Sequence, residues 1–213
     1  MLLPNDAAAG LANDFAGRLS VTRAARLALA DANDLALGAG PLGTLENASV
    51  VIQDGVVVAV GRSGELADKR IDAAGRCVLP GFVDTHVHTG GFPKAPQAEY
   101  IYKLWLGHGV TTVRGVPFGE FEWSLGEKAL SERNEIVAPR MFTYHRPGTG
   151  WDGGPVQDAE TAREWVRWLA AVERDGVKVD GVKLGAEEPE IMAALIDEAH
   201  QHGLGTVAHL DQM

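Results

Sequence analysis

The spacing of apolar residues along the chain changes character near position 80. Between about 25 and 79, apolar residues come in short β-branched runs broken by turn residues. Ser49–Gln53 and Val56–Val60 flank Asp54-Gly55, and an Asp-Gly pair between such runs predicts a hairpin. Arg70–Arg76 then turns the chain into another short strand at Cys77–Leu79. Residues 1–79 are therefore expected to hold part of a small β-sandwich. They begin with an Ala-, Asn- and Asp-rich extension (1–20) that shows no period and is left without an assigned structure.

After Pro80-Gly81 the rhythm becomes strand, helix, strand. Phe82–His86, Val110–Arg114, Arg140–Tyr144, Gly181–Leu184 and Thr206–Leu210 are five apolar strands in this pattern. Over 159–173, Trp165, Trp168, Leu169 and Val172 recur at spacings of three and four, which marks the buried stripe of a helix. Over 190–202, Ile191, Leu195 and Ile196 do the same, with Pro189 just inside the start and Gly203 just past the end. Strands alternating with such helices build parallel βαβ units. The predicted fold class is α/β, with residues 80–213 forming about the first five units of a (β/α)8 TIM-type barrel. A complete barrel takes about 250 residues, more than follow position 80. The barrel is thus expected to be incomplete, either as a fragment or as one part of an assembly. An open parallel sheet leaves an unpaired edge, which keeps a homo-oligomer open as an expectation.

Composition narrows the function without naming it. The net charge of −10 argues against a nucleic-acid partner, which calls for clustered Lys and Arg. No apolar run approaches the roughly 18 residues of a membrane span, and no basic amphipathic stretch suggests membrane attachment. Without a recognisable leader at MLLPNDAAAG, a cytoplasmic location is the default expectation. The single cysteine, Cys77, excludes an internal disulfide and reads as a small residue packed in a strand.

The sharpest chemical signal is Pro80-Gly81-Phe82-Val83-Asp84-Thr85-His86-Val87-His88. Residues two apart on a strand point to one side, so His86 and His88 can offer two imidazoles to one metal ion. They also stand at the C-terminal end of a strand, where barrel enzymes place their chemistry. Tyr144, His145 and Arg146 end the third strand and are expected at the same mouth, as candidate contacts for a small-molecule substrate. The Gly-rich segment 147–155 reads as a flexible lid. His200 and His202 suit a helix C-terminus, and His108 reads as structural. Arg114 is expected to pair with a carboxylate, and the five tryptophans to serve packing. The glycines of 148–154 do not follow a phosphate-loop pattern, which rejects nucleotide binding.

The stretch 77–88 resembles the amidohydrolase superfamily, and the resemblance extends further. Ile52–Gly61 and Ile71–Gly75 look like that family's β-sandwich lead-in, and Gly109–Arg114 like its second barrel strand. Asp180–Lys183, Glu198–Leu204 and Val207–His209 are similar to the branch of imidazolonepropionase-like and prolidase-like enzymes. The resemblance implies four metal ligands: His86 and His88 for one ion, Lys183 as a bridge, and His209 for a second ion. Lys183 would first have to become a CO2-derived carbamate, because an ammonium has no lone pair to donate. Without the resemblance, Lys183 reads rather as a surface or strand-end lysine in a salt bridge with Glu187 or Glu188. Two divalent ions, with zinc expected, would generate a hydroxide for attack on an amide, dipeptide or cyclic amide. The family's catalytic aspartate comes from an eighth strand, so no catalytic residue is assigned in this chain. Two alternatives stand beside this reading: a catalytically inactive fragment that needs a partner or its missing half, and a deaminase with a single metal ion.

Overall fold

The computed structural model describes residues 26–36, 44–53, 56–61, 69–72, 77–88 and 98–209. The turn residues Asp54-Gly55, the extension 1–20 and Leu210 lie outside these. The chain divides into two units, one running up to Phe82 and including Gly107–Gly109, the other containing Val83–Leu106 and everything from Val110 onward.

In the first unit, β1 (Arg26–Ala36) pairs antiparallel with β2 (Thr44–Gln53), interrupted by an irregularity between Leu29 and Ala32. β2 pairs antiparallel with β3 (Val56–Gly61), and the Gln53↔Val56 register closes the hairpin that Asp54-Gly55 predicts. β4 (Lys69–Asp72) and β5 (Cys77–Val78) both lie parallel to β1. Ala48 and Val50 form a small core with Ile52, Val60 and Val78. The long first strand has no counterpart in the sequence reading, because Arg26–Ala36 mixes Leu and Ala with Asp and Asn and lacks clean alternation.

The second unit is organised by a five-stranded sheet in the order β12-β11-β8-β7-β6, a run in which barrel strands follow one another in chain order. Its strands are β6 (Phe82–Val87), β7 (Val110–Gly115), β8 (Arg140–His145), β11 (Gly181–Leu184) and β12 (Gly205–Ala208). The pairs β7–β8, β8–β11 and β11–β12 are parallel. Between them lie helices α1 (Ala98–Gly107), α2 (Phe121–Glu132), α3 (Ala159–Ala171) and α4 (Pro189–Gln201). The sheet is the curled half of a barrel.

Local chemistry sets the helix ends. Asp158 accepts the Thr161 N–H (2.8 Å) while Thr161 Oγ1 accepts the Asp158 N–H (3.2 Å), a reciprocal cap that starts α3. Pro189 opens α4, whose end is a Schellman turn. There Gly203 takes φ +71°, its N–H reaches the His200 carbonyl (3.1 Å), and the Leu204 N–H reaches that of Ala199 (2.8 Å).

Trp165, Val166 and Leu169 of α3 and Leu195 and Ala199 of α4 are buried in one core with Val182 and Leu184 of β11. All five tryptophans pack against the cores of this unit, as expected. A small hairpin, β9 (Glu173–Arg174) and β10 (Val177–Lys178), turns through Asp175 and Gly176, both at positive φ. Beside it, the buried Lys128 of α2 donates to Asp180 Oδ2 and to the Lys178 carbonyl, each at 2.7 Å. The same carboxylate oxygen accepts the Thr143 N–H of β8 (2.7 Å), so one ion pair ties α2, β8 and the start of β11 together.

Candidate metal centre

Strand pleating decides which side chains can meet. Val87, Val113 and Met141 share a core with Tyr102 of α1, so they face the helix layer. Their immediate neighbours in sequence face the other way. On that second side His86 and His88 meet His209, which follows β12 directly. One ring nitrogen from each lies within 4.8 Å of the others. The closest pair is His86 Nε2 and His209 Nε2 at 2.8 Å, with the rings stacked at 15° and centroids 4.7 Å apart. His88 closes the group, its centroid 5.3 Å from His86 and 5.8 Å from His209. Asp84 accepts the His86 backbone N–H (3.1 Å) and so shapes the strand end that presents the pair.

Lys183 lies on β11, the neighbour of β12, and is 1% exposed. Loss of hydration holds the His86 imidazole below its ordinary pKa, and the positive charges of Lys183, His209, His88 and Arg114 push the same way. The direction favours neutral His86, the form that ligates metals. Three converging imidazoles, two of them with nitrogens 2.8 Å apart, fit a single divalent cation as a donor set. A buried ammonium beside them does not help to hold a cation.

The remaining candidates divide. Tyr144 is on the side of the histidines, and Arg114 lies over its ring at 5.4 Å. Arg114 was expected to seek a carboxylate; its Nε–H instead donates to the Thr85 carbonyl (2.6 Å). His145 is on the opposite face of β8, fully buried against Phe121 and Ser124 of α2. Successive strand residues point to opposite faces, so Tyr144 and His145 do not share the mouth. Arg146 is exposed just beyond the strand. The segment 147–155 is fastened rather than loose: the Trp165 indole N–H donates to the Thr149 carbonyl, Trp151 packs on the core, and Gly150 sits against the Phe121 ring. His202 lies 3.4 Å from Glu198, and His200 is 3.4 Å from the Thr206 hydroxyl, both at the end of α4.

A curled parallel half-barrel with a histidine cluster at the C-terminal ends of its strands defines an α/β architecture of the (β/α)8-barrel type. Comparison with known proteins gives the family. No family model matches the chain. It is 32% identical over 181 residues to an enamidase of Eubacterium barkeri, an alignment that takes in 78% of this chain and 45% of the enamidase. Over 58 residues it is 53% identical to the imidazolonepropionase of Mycolicibacterium smegmatis, covering 26% of this chain and 15% of that protein. In fold it is similar to a Bifidobacterium longum protein assigned as a prolidase, with a TM-score of 0.68 and 24% identity over 86% of this chain and 49% of that one. The chain thus spans less than half the length of the enamidase and of the prolidase structure. The two sequence likenesses place it in the amidohydrolase superfamily.

Proposed function

We propose that this chain carries the metal-binding part of a hydrolase acting on an amide, dipeptide or cyclic amide bond, with zinc as the expected metal. The convergence of His86, His88 and His209, drawn from the first and last strands of the sheet, is the observation that supports it. His86, His88 and His209 would hold divalent metal, with Lys183 as a bridging ligand between two ions once carboxylated. Loss of a proton from the Lys183 ammonium, followed by addition of the amine to CO2 with release of a second proton, would form an N–C bond and replace a cation with an anion that has two donor oxygens. That exchange answers the electrostatic problem of a buried lysine among imidazoles. Divalent metal supplies Lewis acidity there, activating water and polarising a carbonyl. Asp84 orients the His86 backbone, and Tyr144 and Arg114 line the same side of the sheet.

Elemental analysis of the purified chain tests it, paired with hydrolysis of a panel of dipeptides and cyclic amides. The expected result is bound zinc in the parent protein and none in His86→Ala/His88→Ala; stoichiometric zinc in that double variant would reject the assignment. Native mass measurement in CO2-replete buffer should add one carboxyl group, absent from Lys183→Met. A consistently unmodified lysine in metal-loaded protein would reject the bridge.

A further inference from the structure

One layer from the histidines, contacts run across the sheet from one edge to the other. Arg114 of β7 donates its Nε–H to the carbonyl of Thr85 on β6, at 2.6 Å, and this carbonyl belongs to the peptide that joins Thr85 to His86. The Arg114 guanidinium carbon is 5.4 Å from the ring centroid of Tyr144 on β8, within cation–π range. The Tyr144 ring in turn fills the space that a Cβ would need at Gly181 of β11, together with the Gly205 carbonyl, and the Tyr144 hydroxyl fills that space at Gly205 of β12. Neither glycine has the positive φ that would itself demand glycine. Their lack of a side chain is what admits the tyrosine, ring at Gly181 and hydroxyl at Gly205. Thr85, Arg114, Tyr144, Gly181 and Gly205 therefore form one row that touches all five strands in sheet order.

The candidate ligands stand next to this row. His86 follows Thr85 directly, Lys183 is two residues beyond Gly181, and His209 is four beyond Gly205. We propose that Arg114 and Tyr144 act as a positioning strut, which sets the separation between the strand bearing His86 and His88 and the strands leading to Lys183 and His209. The strut's role in metal binding rests on the metal-centre reading above; its role in holding β6 does not. Arg114 suits the position because a planar guanidinium can donate along its edge and lie over a ring with its face. Groups that orient ligands in this way change metal affinity by about 10–100-fold when removed.

The test uses cobalt(II) as a spectroscopic probe on the full chain, together with amide hydrogen exchange on the metal-free protein. Arg114→Met removes the donor and the charge. Gly205→Ala drives a methyl against the Tyr144 hydroxyl, and Gly205→Ala/Tyr144→Phe removes the oxygen that it meets. Both single variants are expected to weaken cobalt binding by about 10–100-fold and to shift its visible absorption, and the double variant to recover both. In the metal-free protein, Arg114→Met should speed exchange of the β6 amides about tenfold, as expected for one lost charge-assisted hydrogen bond. The amides of α3 and α4 should not respond. Parent-like cobalt affinity, absorption and β6 exchange in Arg114→Met and Gly205→Ala would overturn the strut. If the parent protein binds no cobalt, the metal reading fails, and β6 exchange still decides whether Arg114 holds that strand.

Discussion

His145 is kept uncharged by its surroundings. Burial lowers its pKa from the ordinary 6.5 to about 4. Ser124 Oγ donates its own proton to the Phe121 carbonyl (2.8 Å), so at 3.2 Å it accepts from His145 Nε2–H. That leaves Nδ1 as a buried lone pair with no hydrogen-bond partner among the described residues. Protonation would place a charge and an unmet donor there. In the unfolded chain His145 takes up its proton near pH 6.5, whereas in the folded chain it does so only near 4. Stability from this group is therefore complete above pH 6.5 and is lost as pH falls toward 4, by about 3 kcal/mol. Urea unfolding of the parent and of His145→Phe between pH 7 and 4 checks this: the variant should lack that part of the pH dependence, and equal slopes would reject it. The contrast with Tyr144 was open to sequence reasoning, since alternation alone forbids adjacent strand residues from sharing a face.

At the scale of elements, most of the second unit was legible. The strand sites at 82, 110, 140 and 181 and the helices α3 and α4 stand within a few residues of their predicted places. Pro189 and Gly203 bounded α4 because one lacks an N–H that a helix start leaves unpaired and the other tolerates φ +71°. Gly203→Ala should cost about 1–2 kcal/mol through that left-handed backbone, read as a lower thermal midpoint; an unchanged midpoint would show that the turn can relax. The β9–β10 hairpin was missed although Asp175-Gly176 signalled it, because its two-residue strands are too short to show a period. Arg114 was misjudged for a different reason. Its partners are a carbonyl 29 residues away and a ring on the next strand, and neither can be read from local sequence.

Across the whole molecule, the half-buried pair Lys128–Asp180 and the proposed metal act on cooperativity rather than on one element. Lys128→Met would strand the Asp180 carboxylate beside Thr143, at a cost of about 3 kcal/mol; chemical unfolding should show it, and a loss under about 1 kcal/mol would mean that water replaces the lysine. Zinc at about 100 times its dissociation constant should stabilise the folded chain by about 2.7 kcal/mol. In a thermal scan this gain should vanish in His86→Ala/His88→Ala, and a gain that persists would place the metal elsewhere. The sequence by itself determined the change of rhythm at residue 80, the alternation of strand and helix, and the placement of His86 and His88 on one side of one strand. Each of these is a matter of local period, which the chain carries whatever it packs against. Only the tertiary structure decided that His209 meets His86 across 123 residues, that His145 turns to the helices, and that Arg114 and Tyr144 span the sheet. Those contacts depend on the order in which strands assemble and on which face of the sheet each side chain meets, and no local spacing encodes either.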